Sequence, residues 1–129
     1  MILYVRTDSP VALIGLSDGE QTLVEQQLEL GRAMARDLPA AVEALLADRD
    51  AGWASLDGLV VFRGPGSFTG LRIGCTLMNA LAYSLELPIV GTKDDAWVAE
   101  GVARLSTGED DKVIVPHYGA DARITKPRK

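Results

Sequence analysis

Cysteine, histidine and aromatic residues are scarce in this sequence, and each shortage excludes a class of protein. Cys75 is the only cysteine among 129 residues, which excludes a disulfide framework and predicts a reducing compartment. His117 is the only histidine, so the paired-histidine motif of zinc hydrolases has no ligands here. Aromatic residues make up 5% of the chain, and the core must therefore be built from Leu, Val, Ile and Ala.

Long apolar segments are missing as well. The sequence has no run of about 18 apolar residues, so neither a membrane span nor a membrane partner is expected. The N-terminus has no basic region ahead of an apolar run, which argues against a signal peptide. We therefore expect a cytoplasmic protein. The length suits one domain with a small core, and a hydrophobic content of 47% indicates a globular chain.

Positive charge is concentrated at the C-terminus. The net charge is −5, yet four bases lie in the last seven residues: Arg123, Lys126, Arg128 and Lys129. An acidic body does not bind nucleic acid over a broad surface, so RNA could be contacted only indirectly or through this end. We predict a single lobe at residues 1–116, followed by a basic, flexible tail at 117–129.

The hydrophobic pattern predicts a mixed α/β lobe. Three short strands precede an alternation of helices and strands, in the order βββαβαβα. This order matches one lobe of the ribonuclease H-like or actin-like ATPase fold. The predicted elements are strands at 2–7, 11–16 and 21–28, a helix at 34–46, a strand at 59–62, a helix at 70–86, a strand at 89–90, a helix after Thr92 and a short strand or extended segment at 113–115.

Two helix starts carry specific expectations. Pro39 lies inside the first helical pattern, so that helix should be kinked or begin near Pro39. Thr92 can cap the last helix, with Asp95 completing a capping box. Cys75 falls on an apolar helix face, where a buried and inert thiol is expected.

The most distinctive segment, residues 63–74, reads Arg-Gly-Pro-Gly-Ser-Phe-Thr-Gly-Leu-Arg-Ile-Gly. Its glycines let the backbone turn sharply after a buried strand, and Ser67 or Thr69 can cap the following helix. Such a loop can present N–H groups to an anion, but it lacks the Gly-Lys-Ser/Thr ending of a Walker A loop. We favour a tight strand-to-helix connection over a phosphate site. The residues expected to shape the helix start are Gly64, Pro65, Gly66, Ser67, Phe68, Thr69 and Gly70.

This segment resembles the signature of the TsaB family, paralogues of the TsaD transferase of tRNA N6-threonylcarbamoyladenosine modification. Residues 53–58 and 86–91 resemble the flanking family sequence, and the likeness covers about residues 1–105. The resemblance implies a non-catalytic subunit that binds a TsaD-like protein and forms a homodimer in its absence. A TsaE-like ATPase is a further candidate partner. Because TsaD holds the metal, the nucleotide and the chemistry, no cofactor, metal or catalytic residue is expected in this chain, and tRNA contact would be indirect or through the tail.

The sequence departs from the family pattern where catalysis would be expected. The family's first strand usually ends in Asp-Thr, whereas Arg6 precedes Thr7 here, and a cationic side chain cannot ligate magnesium. Ala33 stands where the family often has a histidine. The second lobe of the family, which closes a nucleotide cleft, has no counterpart in the sequence. These departures argue against ATP hydrolysis.

The helix at 71–86 is apolar around most of its circumference, apart from one narrow polar stripe that includes Arg72, Thr76 and Tyr83. Such a helix is either enclosed in its own domain or shared with a partner. The resemblance favours a partner, because that family pairs through helices of its first lobe. The predicted interface residues are Leu71, Arg72, Cys75, Leu77, Met78, Leu81, Ala82, Leu85, Met34, Leu38 and Val42.

Two other functions stay open. The first is an ATP-binding hydrolase or transferase with the glycine loop at a phosphate site. The second is a homodimeric scaffold unrelated to tRNA modification. A metal site or a serine triad built on His117 has little support, because one imidazole among loop acids is usually solvated.

Overall fold

The computed structural model describes residues 1–118, so the four bases of the predicted tail lie outside the described residues. The described residues form five strands and three α-helices, with short 3-10 turns before α1 and before β4. Among the described helices, none is both long enough and apolar enough to cross a bilayer. The elements are β1 (Ile2–Arg6), β2 (Val11–Asp18), β3 (Gln21–Glu29), α1 (Met34–Ala47), β4 (Gly58–Phe62), α2 (Phe68–Leu85), β5 (Ile89–Thr92) and α3 (Trp97–Ser106).

The strands form one mixed sheet in the order β3-β2-β1-β4-β5. The first three strands pair antiparallel through two hairpins, whereas β4 and β5 join in parallel after helical crossovers. Gly19 turns the second hairpin with φ of +60°, a conformation that glycine adopts without strain. The predicted mixed α/β architecture is confirmed.

Alternation along the strands divides the core into two layers. Leu3 and Val5 of β1 point to the face that α1 and α2 cover. Tyr4, between them, points to the opposite face, where it packs with Val60 and with Trp97 of α3. All five residues of β4 are buried, as expected for a strand with helices on both sides. The glycine loop leaves the sheet at the end of this strand.

Helix α1 starts at the predicted residue, whereas the start of α3 differs from the sequence expectation. Helix α1 begins at Met34 and continues through Pro39; its entry is fixed because the N–H groups of Leu30 and Gly31 both donate to the Pro10 carbonyl. Thr92 does not cap α3, which begins at Trp97. The predicted capping box is wrong because Thr92 is the buried end of β5.

The hydroxyl of Thr92 instead donates a hydrogen bond to the carbonyl of Trp97 at 2.8 Å. That bond fixes the turn between β5 and α3. The segment at 113–115 is not a strand: Val113 lies in a bend, and the next two residues have no regular secondary structure. It is attached to α2 by Asn79, whose side chain donates to the Ile114 carbonyl at 2.9 Å and accepts from the Ile114 N–H at 2.8 Å.

Tyr4 makes the folding stability of the chain depend on pH in the alkaline range. Its ring lies under Gly15, where an added Cβ would come within 2.2 Å of the ring, and its hydroxyl donates to Glu25 at 2.7 Å. Burial, followed by the hydrogen bond to Glu25, raises the pKa of Tyr4 from 10.0 to about 12. Folding therefore favours the neutral phenol.

We expect the contribution of Tyr4 to folding stability to be complete below pH 10.0 and to be lost as pH rises towards about 12. In that interval the unfolded phenol ionises while the folded phenol stays protonated. Urea unfolding of the parent chain and of Tyr4→Phe, at about pH 9 and about pH 11.5, measures this. The parent should lose more stability than the variant between the two pH values, and equal losses would contradict the assignment.

Candidate functional site: the glycine loop and the paired helices

The glycine loop, residues 63–70, contains the connection from β4 to α2 and the first three residues of α2, and it rests on the end of β1. Ser67 Oγ accepts from the Gly70 N–H at 3.3 Å, so Ser67 rather than Thr69 caps the helix. The Ser67 N–H in turn donates to the Asp8 carbonyl at 3.1 Å. These two N–H groups are thus used within the chain, as a tight strand-to-helix connection requires.

The first turns of α2 approach the backbone of β1 very closely. The buried hydroxyl of Thr7 donates to the Gly70 carbonyl at 2.6 Å. A Cβ added at Gly70 would lie 2.1 Å from the Thr7 carbonyl oxygen, and one added at Gly74 would lie 2.3 Å from the Thr7 hydroxyl oxygen. Real Cβ atoms do not approach oxygen so closely, so the spacing of these two glycines is a consequence of helix-to-strand contact.

Arg6 lies at the end of β1, beside the loop. Its guanidinium donates to both carboxylate oxygens of Asp8, with Nε–Oδ1 of 2.8 Å and Nη2–Oδ2 of 3.0 Å. Its Cζ also lies 3.8 Å from the centre of the Phe62 ring, a favourable cation–π distance. The side chain is therefore held from two sides, and its charge is balanced by Asp8. Within residues 1–118, no cluster of three potential metal-ligating side chains occurs.

Helix α2 has three faces with different surroundings. Its sheet-facing residues, including Met78, are buried. Ile73, Leu77 and Leu81 are partly buried against the same core. The polar stripe and Ala80 face solvent, with Tyr83 88% exposed. Most of the apolar circumference is therefore covered by the chain's own sheet and by α1, and the polar stripe identifies the exposed face.

The predicted interface residues separate into two groups. Those in the first group are buried in this chain: Leu71, Cys75, Met78, Ala82, Met34, Leu38 and Val42. Of these, only Leu38 borders the groove between α1 and α2. Those in the second group are exposed or partly exposed: Arg72, Leu77, Leu81 and Leu85. Contact between the second group and a partner stays a prediction. Thr76, Ala80 and Tyr83 are also exposed on α2. They were not among the predicted interface residues, although the polar stripe contained two of them.

A groove of about 470 Å³ separates α1 from α2. Arg72 supplies a cation to a lining that is otherwise mostly aliphatic, and the small side chains of Ala35 and Ala80 keep the groove open. An apolar groove between two helices can receive the apolar face of a third helix. The lining residues are Ala35, Leu38, Pro39, Thr69, Arg72, Ile73, Thr76, Leu77 and Ala80.

Asp110 and Asp111, two acids that precede His117, accept hydrogen bonds from the edge strand β5. The outward N–H groups of β5 donate to carboxylates, from Ile89 to Asp110 at 3.1 Å and from Gly91 to Asp111 at 2.9 Å. Arg104 donates to the Gly91 carbonyl at 3.1 Å. These side chains, together with the Asp111 backbone N–H that donates to the Ile89 carbonyl at 2.7 Å, thus satisfy the free edge of β5 in place of another strand.

Cys75 and His117, the two residues with potentially reactive side chains, both have a structural role in the fold. Cys75 is buried as expected, and burial raises the pKa of its thiol to about 11, which disfavours the reactive thiolate. The backbone N–H of His117 donates to the Arg63 carbonyl at 2.6 Å, so this residue anchors the chain near the glycine loop.

A family model described as TsaD, tRNA N6-adenosine threonylcarbamoyltransferase, matches residues 28–115, and the chain belongs to this family. More particularly, the chain is TsaB/YeaZ-like, as its relatives indicate. The tRNA threonylcarbamoyladenosine biosynthesis protein TsaB of Bacillus subtilis is 52% identical over 54 residues, which are 42% of this chain and 23% of that protein. TsaB of Haemophilus influenzae is 28% identical over 92 residues, 71% of this chain and 38% of that protein.

The comparison of folds agrees with the sequence relatives. YeaZ from Pseudomonas aeruginosa superposes with a TM-score of 0.67 at 25% identity, covering 82% of this chain and 49% of that one. The chain therefore spans less than half the length of each of these three relatives.

Proposed function

We propose that this chain is a non-catalytic subunit in tRNA N6-threonylcarbamoyladenosine biosynthesis and that it binds a TsaD-type transferase. Its TsaB relatives are named for this biosynthesis. Its mixed sheet, with α1 and α2 on one face, suits a single actin-like or ribonuclease H-like lobe. The observation that carries the proposal is the apolar groove between α1 and α2.

The groove is suited to a helix of the partner. It is open to solvent along its length, and its partly buried leucine and isoleucine side chains would gain apolar burial when a helix docks. Arg72, at its exposed side, would meet an acidic residue. In the absence of a transferase, the same surface on a second copy would complete a homodimer. A TsaE-like ATPase and tRNA are proposed to contact the assembly rather than this chain alone.

The surroundings of Arg6 support the absence of catalysis. A magnesium-bound nucleotide at the end of β1 would meet a guanidinium that is already held by Asp8 and Phe62. The loop N–H groups of Ser67 and Gly70 have partners within the chain. We therefore place the metal, the nucleotide and the reacting groups in the transferase.

Light scattering tests the proposal directly. The solution mass is measured for the chain alone, for the TsaD-type protein of the same organism alone, and for their mixture. We expect a homodimer that gives way to a stable mixed complex. Unchanged masses in the mixture would overturn the partner role. ATP titration of the chain alone should give no saturable heat, and tight binding would instead support the ATP-dependent alternative.

A further inference from the structure

A second cleft lies on the opposite face of the sheet, between α3 and the tip of the β2–β3 hairpin. It has a volume of about 450 Å³. The α3 wall is formed by residues one helical turn apart, which therefore lie on one face. The lining residues are Ser17, Gly19, Glu20 and Thr22 from the hairpin, and Val98, Ala99, Val102 and Ala103 from α3. This cleft is separate from the α1–α2 groove, and the inference below does not rest on the proposed function.

The wall of this cleft contains a buried hydroxyl without a partner. Ser17 is 2% exposed, and its Oγ has no hydrogen-bond partner among residues 1–118. Leu16 points into the layer beneath α1 and α2, so strand alternation directs Ser17 to the α3 side. An unpaired buried hydroxyl costs stability, and native proteins keep few of them. A ligand in the cleft would supply the missing partner.

The charges around the cleft define the kind of ligand. Of the described lining residues, Glu20 alone is charged. Asp18 lies two residues before it and Glu100 follows Ala99 on α3, so the two segments that line the cleft, residues 17–22 and 98–103, carry three acidic residues and no basic one. Val98 and Val102 offer an aliphatic surface on the other wall. The hairpin wall, with the hydroxyl of Ser17 and the carboxylate of Glu20, favours a hydrogen-bond donor or a cation. The valines of the α3 wall favour a short hydrocarbon chain.

We propose that this cleft binds a primary ammonium group carried on a short aliphatic stem. The stem lies on the α3 wall, and the ammonium group faces the hairpin wall, with Ser17 and Glu20 as acceptors. An ammonium has three donors and no acceptor, which suits a wall made of a hydroxyl and a carboxylate. A free alkylamine and a lysine side chain of another protein both carry this chemistry.

Amide chemical shifts of the ¹⁵N-labelled chain test the binding. Butylammonium, butanol and butyrate are titrated separately at constant ionic strength. We expect saturable shifts at residues 17–22 and 98–103 with butylammonium, about tenfold weaker binding of butanol and no saturation with butyrate. Nα-acetyl-lysine methylamide then distinguishes the sources: equal affinity assigns the site to a lysine side chain, and much weaker affinity assigns it to a free amine. Equal shifts for all the first three ligands would overturn the proposal.

Three variants test the roles of the two walls. Glu20→Gln should weaken butylammonium binding about twofold to fivefold, as expected for an exposed ion pair, whereas Glu43→Gln on α1 should leave it unchanged. Ala99→Leu should abolish binding by filling the cleft. Equal affinity of the parent, Glu20→Gln and Ala99→Leu chains would exclude this cleft as the site.

Ser17→Ala gives the sharpest result, because it should change stability and binding in opposite directions. Removing an unpaired buried hydroxyl should raise Tm by a few degrees, about the shift of a small stability gain in a domain of this size. The same change should weaken butylammonium binding about fivefold, since one hydrogen bond is lost. Unchanged affinity would remove Ser17 from the site and refute the proposal, whatever the change in Tm.

Discussion

Gly70→Ala is expected to lower the free energy of unfolding by about 3–5 kcal/mol, the range of the most damaging single substitutions. The new Cβ would lie 2.1 Å from the Thr7 carbonyl oxygen, and neither backbone can move far. Gly74, one turn later, has no room either, because its Cβ position is 2.3 Å from the Thr7 hydroxyl oxygen. Helix α2 would have to retreat and lose the 2.6 Å bond from Thr7 to Gly70.

This loss is large compared with the total stability of a small domain, about 5–15 kcal/mol. The better helix propensity of alanine, about 1 kcal/mol, cannot offset it. Urea unfolding followed by circular dichroism measures the effect. Gly52→Ala is the matched control, because Gly52 has a φ of −145° and nothing lies within 4 Å of its Cβ position. Equal unfolding midpoints for the Gly70 and Gly52 variants would refute the close approach of α2 to β1.

Ala80→Arg should weaken the proposed complex with the TsaD-type protein at least about 100-fold, while the chain stays folded. Ala80 is exposed on α2 and lines the groove, so the free chain accommodates an arginine in solvent. On docking, the guanidinium would be buried among aliphatic side chains without a partner, which costs several kcal/mol. Arginine is nearly as good a helix former as alanine, so the melting temperature should change little.

Isothermal titration with the TsaD-type protein measures this change. Ser106→Arg is the control, because it adds the same group to an exposed position at the end of α3, on the other face of the sheet. The control should bind as the parent does. Full affinity of Ala80→Arg would show that the partner docks elsewhere, and loss of affinity in both variants would point to charge rather than to the groove.

The layers of this fold could be predicted from the sequence because they depend on the spacing of hydrophobic residues within each strand or helix. Alternation in β1 assigns Leu3 and Val5 to one face and Tyr4 to the other, and the hydrophobic run of β4 indicates burial on both faces. Ser67 as the cap of α2 also follows from local chemistry. Each of these features is encoded within a few neighbouring residues.

Features that depend on contacts between distant segments could not be predicted. The spacing of Gly70 and Gly74 reflects their contact with Thr7, which follows β1 and lies 63 residues before Gly70 in the sequence. The local sequence around Thr92 fits a capping box, but Thr92 ends the buried strand β5 and therefore does not begin α3. A helical wheel cannot tell how much of an apolar arc the chain covers itself, which is why seven interface residues were assigned to a partner. The unpaired hydroxyl of Ser17 leaves no sequence signal.

The side chains along β5 make the protection of this sheet edge depend on pH. Hydrogen bonds from Gly91 and Arg104 outweigh the effect of burial and lower the pKa of Asp111. Its contribution is therefore complete above pH 3.8 and is lost as pH falls through the folded pKa. Once protonated, the carboxyl group no longer holds Arg104 as a charged partner, and it accepts the Gly91 N–H less strongly. The Gly91 amide is therefore expected to lose protection from hydrogen exchange below pH 3.8, whereas the amides of β1, which is paired with a strand on each side, should keep theirs.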